Sequence, residues 1–403
     1  MYDNQNQLLH SISKFTTWLE AYGPKSYDRM DFWSSTPGVL TRRLFYKSKF
    51  LGAPFAGFAL LQETFFPSLL KLYGQPQREA IADAHYAVGF LNLYKLHEEE
   101  QFLNRAEEFL DALKSSRCED YKNCCWGYAF GWENPAGYWP PKTPVISVTP
   151  YCFWAFKKHY EITGCKESLT ICESAAEFAV EDLNNTEMPD GTISTSYSPK
   201  DRTAIINANT YRAAMLLDAY ALFKNETYKK EALSNIEFVL SCQNKDGSWY
   251  YDGKGDAETF IDNFHTCFVL RNLFICYSHL EDPALLSAIK KGYKFYRNDL
   301  FREDGTPIHF AEAKYLKFRK YEMYDYAEGI KLGVLLKDEI DGSLEFSKQL
   351  AQTLMTKFQL PDGHFLTRVT TFGQKHKVPY HRWPQAQLFE ALTALLLNTK
   401  TNL

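Results

Sequence analysis

The chain has 403 residues, 45% apolar, 16% aromatic and 23% charged, a globular composition with material for a large core. Its 45 basic and 49 acidic residues leave a net charge of -4, which argues against a nucleic-acid binder working by electrostatics. Overall disorder is excluded, because weakly hydrophobic chains do not carry 30 Phe, 26 Tyr and 8 Trp.

From the start, Met1 to Phe15 is polar and lacks the basic and apolar regions of a signal peptide, and no run reaches the length of a membrane helix. Leu388–Leu397 comes nearest and is too short. The expectation is a cytoplasmic protein without a transmembrane segment. The nine cysteines are an odd number scattered through helical segments, which suits reduced, mostly buried thiols. Cys118, Cys124 and Cys125 cluster without a CxxC or HxxxH partner, so no metal site is expected.

Two segments, about 4–20 and 37–47, read as an N-terminal helical cap covering residues 1–50. Beyond them two helix types alternate. One-faced, outer helices are expected near 53–73, 100–115, 167–183, 228–242, 284–298 and 343–358. Helices apolar all round, and so enclosed on several sides, are expected near 77–95, 147–162, 206–223, 263–280, 323–337 and 382–398. Four Asp-Gly pairs (190–191, 246–247, 304–305 and 362–363) recur at spacings of 56, 58 and 58 residues and punctuate the same alternation. Six hairpins, with outer-to-inner loops of around 20 residues, predict an all-α (α/α)6 toroid over 51–403 rather than an open stack of hairpins. Asp252–Asp256 is glycine-bearing and reads as a flexible loop.

In such a ring the long loops and the starts of the inner helices share one rim. Polar and aromatic side chains at those starts become candidates: Asp83 and His85; Thr149 and Tyr151; Asn207, Asn209, Tyr211 and Arg212; Asp262, Asn263 and His265; Tyr324, Asp325 and Glu328; His381, Arg382, Trp383, Gln385 and Gln387. Helix capping accounts equally well for Asn207, Asp262 or Asn263 taken singly, but not for the aromatic and basic members. Trp126, Trp132, Tyr138, Trp139, Trp249 and Tyr250 in the loops could be sugar-stacking platforms or rim packing. Together they suggest a carbohydrate cleft.

For reaction type, Asp262 and Asp325 on neighbouring helices could form a glycosidase carboxylate pair, with Glu328 a turn further on. A uronate epimerase or lyase would instead use Tyr324, Tyr211 or His265 as base, with Arg212 and Arg382 neutralising the developing charge. The residues support both sets. Walker A, GxGxxG and GxSxG sequences are absent, and no nucleotide, redox or metal cofactor is expected. Gln243–Trp249 is similar to the QW motif of terpene cyclases, whose acidic motifs are missing.

On Tyr27-Asp28-Arg29-Met30-Asp31, Phe260–Thr266 and Tyr380–Gln387, together with the repeat, the chain resembles the six-hairpin glycosidase superfamily. More narrowly, it resembles bacterial proteins of that fold associated with surface-polysaccharide assembly. The resemblance implies an (α/α)6 toroid acting on an oligo- or polysaccharide containing uronic acid or amino sugars, in company with other assembly proteins. The expected reacting core is Asp262, His265, Tyr324, Asp325 and Glu328. Substrate contacts are expected from Asn209, Tyr211, Arg212, Asn263, Trp249, Trp132, His381, Arg382, Trp383, Gln387, Asp83 and His85. The alternatives are a non-catalytic glycan-binding or scaffold component, or an isoprenoid- or peptide-processing toroid with an apolar cavity.

Overall fold

The Asp-Gly pairs are four copies of one turn. In each of Asp190, Asp246 and Asp304 the carboxylate accepts the backbone N–H two residues on, from Thr192, Ser248 and Thr306, while Asp362 holds the His364 ring. The glycines that follow take φ between +80° and +113°, a region a side chain rarely tolerates. Gln243 and Gln359 brace two of these turns by donating to the carbonyls of Gly247 and Gly363. The turns fix how each outer helix hands the chain back to the rim.

The computed structural model describes residues 2–253, 259–313 and 319–399, so the tip of the Asp252–Asp256 loop lies outside the described residues. The helices are α1 (Tyr2–Tyr22), α2 (Asp31–Ser34), α3 (Thr36–Lys47), α4 (Lys49–Phe65), α5 (Ala80–His97), α6 (Glu100–Ser116), α7 (Thr149–Thr163), α8 (Lys166–Glu181), α9 (Ile206–Phe223), α10 (Glu226–Ser241), α11 (Asn263–Leu280), α12 (Pro283–Asp299), α13 (Met323–Leu335), α14 (Ser343–Lys357) and α15 (Ala386–Thr399). Short antiparallel strand pairs sit in the long loops, among them β1 (Trp132–Asn134) with β2 (Gly137–Trp139). The expected all-α toroid is what is found.

The inner ring is α5, α7, α9, α11, α13 and α15, and it closes because α15 packs back on α5. Gly89 permits that closure: a Cβ there would stand 2.4 Å from the Phe389 ring. The inner helices are buried nearly all round, as their sequences demand: in α9 every residue from Ile206 to Ala219 is buried. Outer helices α6, α8, α10, α12 and α14 occupy the expected segments.

The sixth outer position departs from the sequence reading. It is filled by α1, which packs on α14 and α15, not by the 53–73 segment. Leu8, Ile12, Phe15, Trp18 and Leu19 recur at helical spacing and join the main core, with the Phe15 ring stacked on Phe365 and Phe389. Residues 31–73 instead hold a small core of their own, Phe32, Ala59 and Leu70. The change in packing therefore falls on either side of 31–73 and not near residue 50.

Candidate functional site

Long loops and inner-helix starts enclose a cleft of about 720 Å³ at one mouth of the ring. From the N-terminal segment come Arg29, Met30, Trp33, Arg42, Leu60 and Glu63; from the loop before α7, Tyr128, Phe130, Trp132, Asn134 and Trp139. The loops before α9 and α11 supply Tyr197, Asp201, Thr203, Tyr251 and Asp252, and the helix starts supply Ile205, Phe264, Arg382 and Trp383. The lining is largely aromatic, with Arg29, Arg42 and Arg382 among it.

Trp383 is positioned by an irregular turn. Residues His381–Gln385 form a single π-type turn ahead of α15, and Trp383 leaves helical backbone angles within it (φ -161°, ψ 92°). Its ring then lies flat on Tyr324, centroids 4.0 Å apart, with Phe264 edge-on at 5.0 Å. Arg382 makes a two-pronged bond to Asp28 (2.6 and 2.7 Å) and lies over the rings of Tyr128 and Phe130. Arg29 pairs with Glu63 (3.2 Å) and Glu322 (3.4 Å), and Arg368 pairs with the same Glu63 at 2.7 Å.

Arg42 differs from both. Its Nη1 donates to the Glu133 carbonyl oxygen (3.2 Å), Nη2 reaches the Met30 sulfur, and the guanidinium lies 4.9 Å over Trp33. Among the described residues it forms no ion pair, and burial pulls its pKa below the ordinary arginine value. It faces the cleft with no carboxylate in direct contact among the described residues, and the nearby charge of Glu63 only partly offsets the effect of burial. The neighbouring hydroxyls form a chain: Tyr128 meets Ser147 (3.3 Å) and Tyr197 (3.2 Å), and Ser147 meets Tyr197 at 2.5 Å. Burial pushes Tyr197 and Tyr251 upward, so at neutral pH both are protonated donors and not bases.

Trp132, Arg382 and Trp383 of the expected set line this cleft, and Tyr324 stands directly behind Trp383. Asp262 and His265 sit in an adjoining niche behind Tyr251. Asp262 caps α11 through the His265 N–H and also bonds the His265 ring at 2.8 Å, which in turn meets Tyr251 edge-on at 4.7 Å. Asp325 is fully buried against His309 (2.7 Å). Glu328 and Tyr211 lie deeper in the lumen: Glu328 takes Arg271 (2.7 Å) and Lys331 (2.8 Å), and the Tyr211 hydroxyl meets Tyr151 and Arg271.

The remaining candidates serve the scaffold. Arg212 points into the outer layer, donating to the Ala179 carbonyl, Asn235 and Glu231. Asn209 ties Ser194, Thr195 and Ile205 together, and Asn263 ties Leu300, Ile308 and Tyr296. Trp249 is 2% exposed, bonds the Val239 carbonyl and packs on Gly292. His381 bridges Tyr86 and the Gly23 carbonyl among Trp18 and Tyr22. Gln387 donates to the Arg382 carbonyl, and Asp83 is clamped by Arg78. Of the loop aromatics, Trp126 is core, bonded to the Leu113 carbonyl, while Tyr138 and Tyr250 do not line the cleft.

His85 belongs to a second cavity of about 880 Å³ that runs from the middle of the inner helices, at His85, Tyr151 and Glu390, toward their C-terminal ends, at Glu98 and Ile162. It is the larger of the two, and most of its charges compensate one another: His85 with Glu390, Lys331 with Glu328 and Glu390, Lys157 with Glu161 and Asp218, while Lys158 donates to the Asn92 amide oxygen and burial lowers its pKa to about 8. The long loops that carry Trp132, Trp139 and Tyr251 border the rim cleft instead. The rim cleft is the better candidate.

The residues missed from sequence are Arg29, Arg42, Glu63, Asp201, Tyr251 and Asp252. Arg29 lay within the Tyr27–Asp31 motif and Asp252 opens the glycine-bearing Asp252–Asp256 stretch; Arg42 and Glu63 sit on α3 and α4, and Asp201 and Tyr251 in loops, with no local pattern to single them out.

No protein-family model and no curated protein matches the sequence. Solved structures do. An unsaturated glucuronyl hydrolase specific for heparin superposes with TM-score 0.64 at 12% identity, covering 97% of this chain and 96% of that one. An unsaturated glucuronyl hydrolase from Bacillus sp. GL1 gives 0.65 at 11% identity, covering 98% and 97%. A cellobiose 2-epimerase from Bacillus thermoamylovorans gives 0.61 at 11%, covering 80% and 88%. At these identities the likeness is one of fold, and the fold of this chain is the six-hairpin (α/α)6 toroid.

Proposed function

We propose that the chain is a glycan-processing enzyme whose rim cleft takes a saccharide carrying a uronate. The observation that carries this reading is Arg42: a cation without a carboxylate partner, stacked on Trp33 and facing a cavity walled by Trp132, Trp139 and Trp383. A uronate carboxylate supplies the missing charge as a two-pronged acceptor, and the indole faces take the apolar faces of the sugar rings. The structural neighbours whose names describe glucuronyl hydrolysis and sugar epimerisation support the same class.

Acid/base work is assigned to Asp201 and Asp252, which both line the cleft; Asp252 is held there by a β-bridge to Ile205, and the Asp201 carboxylate accepts from Ser198 N–H and the Thr203 hydroxyl. Glu63 is unsuited, being held by Arg29 and Arg368. The Asp262–His265 pair, one ring further back, orients Tyr251 from behind. In a hydrolase one aspartate protonates the leaving oxygen while the other activates water or attacks the sugar. In an epimerase or lyase one removes the proton next to the carboxylate, and Arg42 holds the charge that develops. A role in bacterial surface-polysaccharide metabolism, in the cytoplasm and beside other assembly proteins, follows from the resemblance of the Tyr27–Asp31, Phe260–Thr266 and Tyr380–Gln387 motifs.

Incubation with defined uronate oligosaccharides in heavy water tests the reading. New reducing ends identify a hydrolase, an unsaturated uronate chromophore a lyase, and deuterium at C5 without cleavage an epimerase. Loss of turnover in Asp201→Asn and Asp252→Asn with saccharide binding retained places the chemistry on those residues. Binding without any of the three products in the wild type assigns the cleft a purely binding role.

A further inference from the structure

Helix α4 is built inside out. The side facing the protein holds Gly52, Ala59, Gln62, Glu63 and Thr64, while Phe50, Phe55 and Phe58 on the outer side are 88%, 59% and 66% exposed. A soluble surface helix has the opposite arrangement. The patch continues through Leu69 and Leu72 of the following 3-10 turn and ends at Phe372, whose ring meets Phe65 at 5.3 Å. Of the sixteen large apolar side chains exposed among the described residues, twelve lie in 40–72 or at Phe372. Such concentration marks a contact surface and not ordinary scatter.

Charge indicates what covers it. Exposed Lys47, Lys49, Lys71, Lys375 and Lys377 rim the patch. The one acidic residue between 32 and 73, Glu63, is buried and paired with Arg29 and Arg368. This basic rim belongs to a chain of net charge -4. A second copy docking the same face would set lysine rim against lysine rim. A bilayer with anionic headgroups offers apolar depth beneath phosphate-level negative charge, which complements both features. No described helix is long and apolar enough to cross a membrane, so the contact is with the interface.

We propose that the outer face of α4 and the turn after it is a membrane-docking surface, its phenylalanines seated at the headgroup–acyl boundary of an anionic bilayer. Leu60 and Glu63 of the same helix wall the rim cleft, so the cleft mouth lies beside the docked surface. The proposal stands on α4 itself and is independent of the reaction assigned above.

Flotation of the full chain with vesicles tests it. Wild type is expected to float with phosphatidylcholine–phosphatidylglycerol vesicles, weakly with phosphatidylcholine alone, and less in high salt. Phe55→Glu with Phe58→Glu, both outward-facing, is expected to lower binding by roughly tenfold or more with an unchanged thermal midpoint. Lys47→Glu with Lys71→Glu should weaken binding to anionic vesicles only. Failure of wild type to float with anionic vesicles overturns the proposal, as does flotation unaffected by the phenylalanine changes. A concentration-dependent dimer that the phenylalanine changes dissolve, with no vesicle binding, assigns the face to a second copy instead.

Discussion

Arg42 and His381 both lie against aromatic rings, yet they do opposite jobs. Arg42 lacks an anion; Arg42→Gln removes the charge while keeping a donor. The expected outcome is a loss of roughly 1.5–3 kcal/mol in binding a uronate saccharide, or about 10–100-fold, against little change for a neutral analogue, read by calorimetric titration. An equal loss for both analogues would remove the anion from the argument. His381 is bonded at both ring nitrogens, Nδ1 to the Tyr86 hydroxyl and Nε2–H to the Gly23 carbonyl, and its burial favours the neutral ring. Burial pushes its pKa down to about 4, and His376 behaves alike at about 4.

The unfolded ring titrates near 6.5, so the stability each histidine contributes is present in full above about pH 6.5 and is lost as pH falls toward about 4. Burial raises Asp31 to about 7 and Glu79 to about 8, and their contributions run the other way, fading as pH rises through those values. Net slopes therefore mix the two signs. The His381→Gln difference isolates one: denaturant midpoints of variant and wild type should converge as pH drops from about 7 to about 5. Parallel midpoints would show that the ring is not held neutral.

At the scale of elements, Gly89 is where the ring closes. Gly89→Ala puts a methyl into Phe389, and without room to shift it should cost about 1–3 kcal/mol by denaturant titration. An unchanged midpoint would mean that α5 and α15 do not pack this closely. Helix types and their alternation were legible in the sequence because all-round apolarity and Asp-Gly turns are local signals. The azimuth of a polar residue was not. Tyr211 faces the lumen and Arg212, one residue and about 100° further round, faces the outer layer. The same ambiguity separates Trp383 from His381. α4 was misread because its apolar stripe was taken to face inward, whereas α1 was misplaced because its partner α15 lies at the far end of the chain.

Across the whole molecule, stability and recognition occupy different tissue. The toroid core runs through all six inner helices, and the cleft is assembled on it from loops and from the 31–73 segment, which has its own small core. Phe15→Ala should therefore destabilise the fold by about 3–5 kcal/mol, although Phe15 does not line the cleft. Trp132→Ala should weaken saccharide binding with a smaller change in the unfolding midpoint. Reversal of the two effects would mean that the loops hold the ring together.

The circle has a seam whose two sides lie far apart in sequence: α1 lies against α15. On a ribosome α1 must wait for α15, and until then Phe15, Phe90 and Phe389 have no complete partners. Nascent protein would thus carry an unsealed interior until α15 emerges, an interval in which chaperones have most to shield.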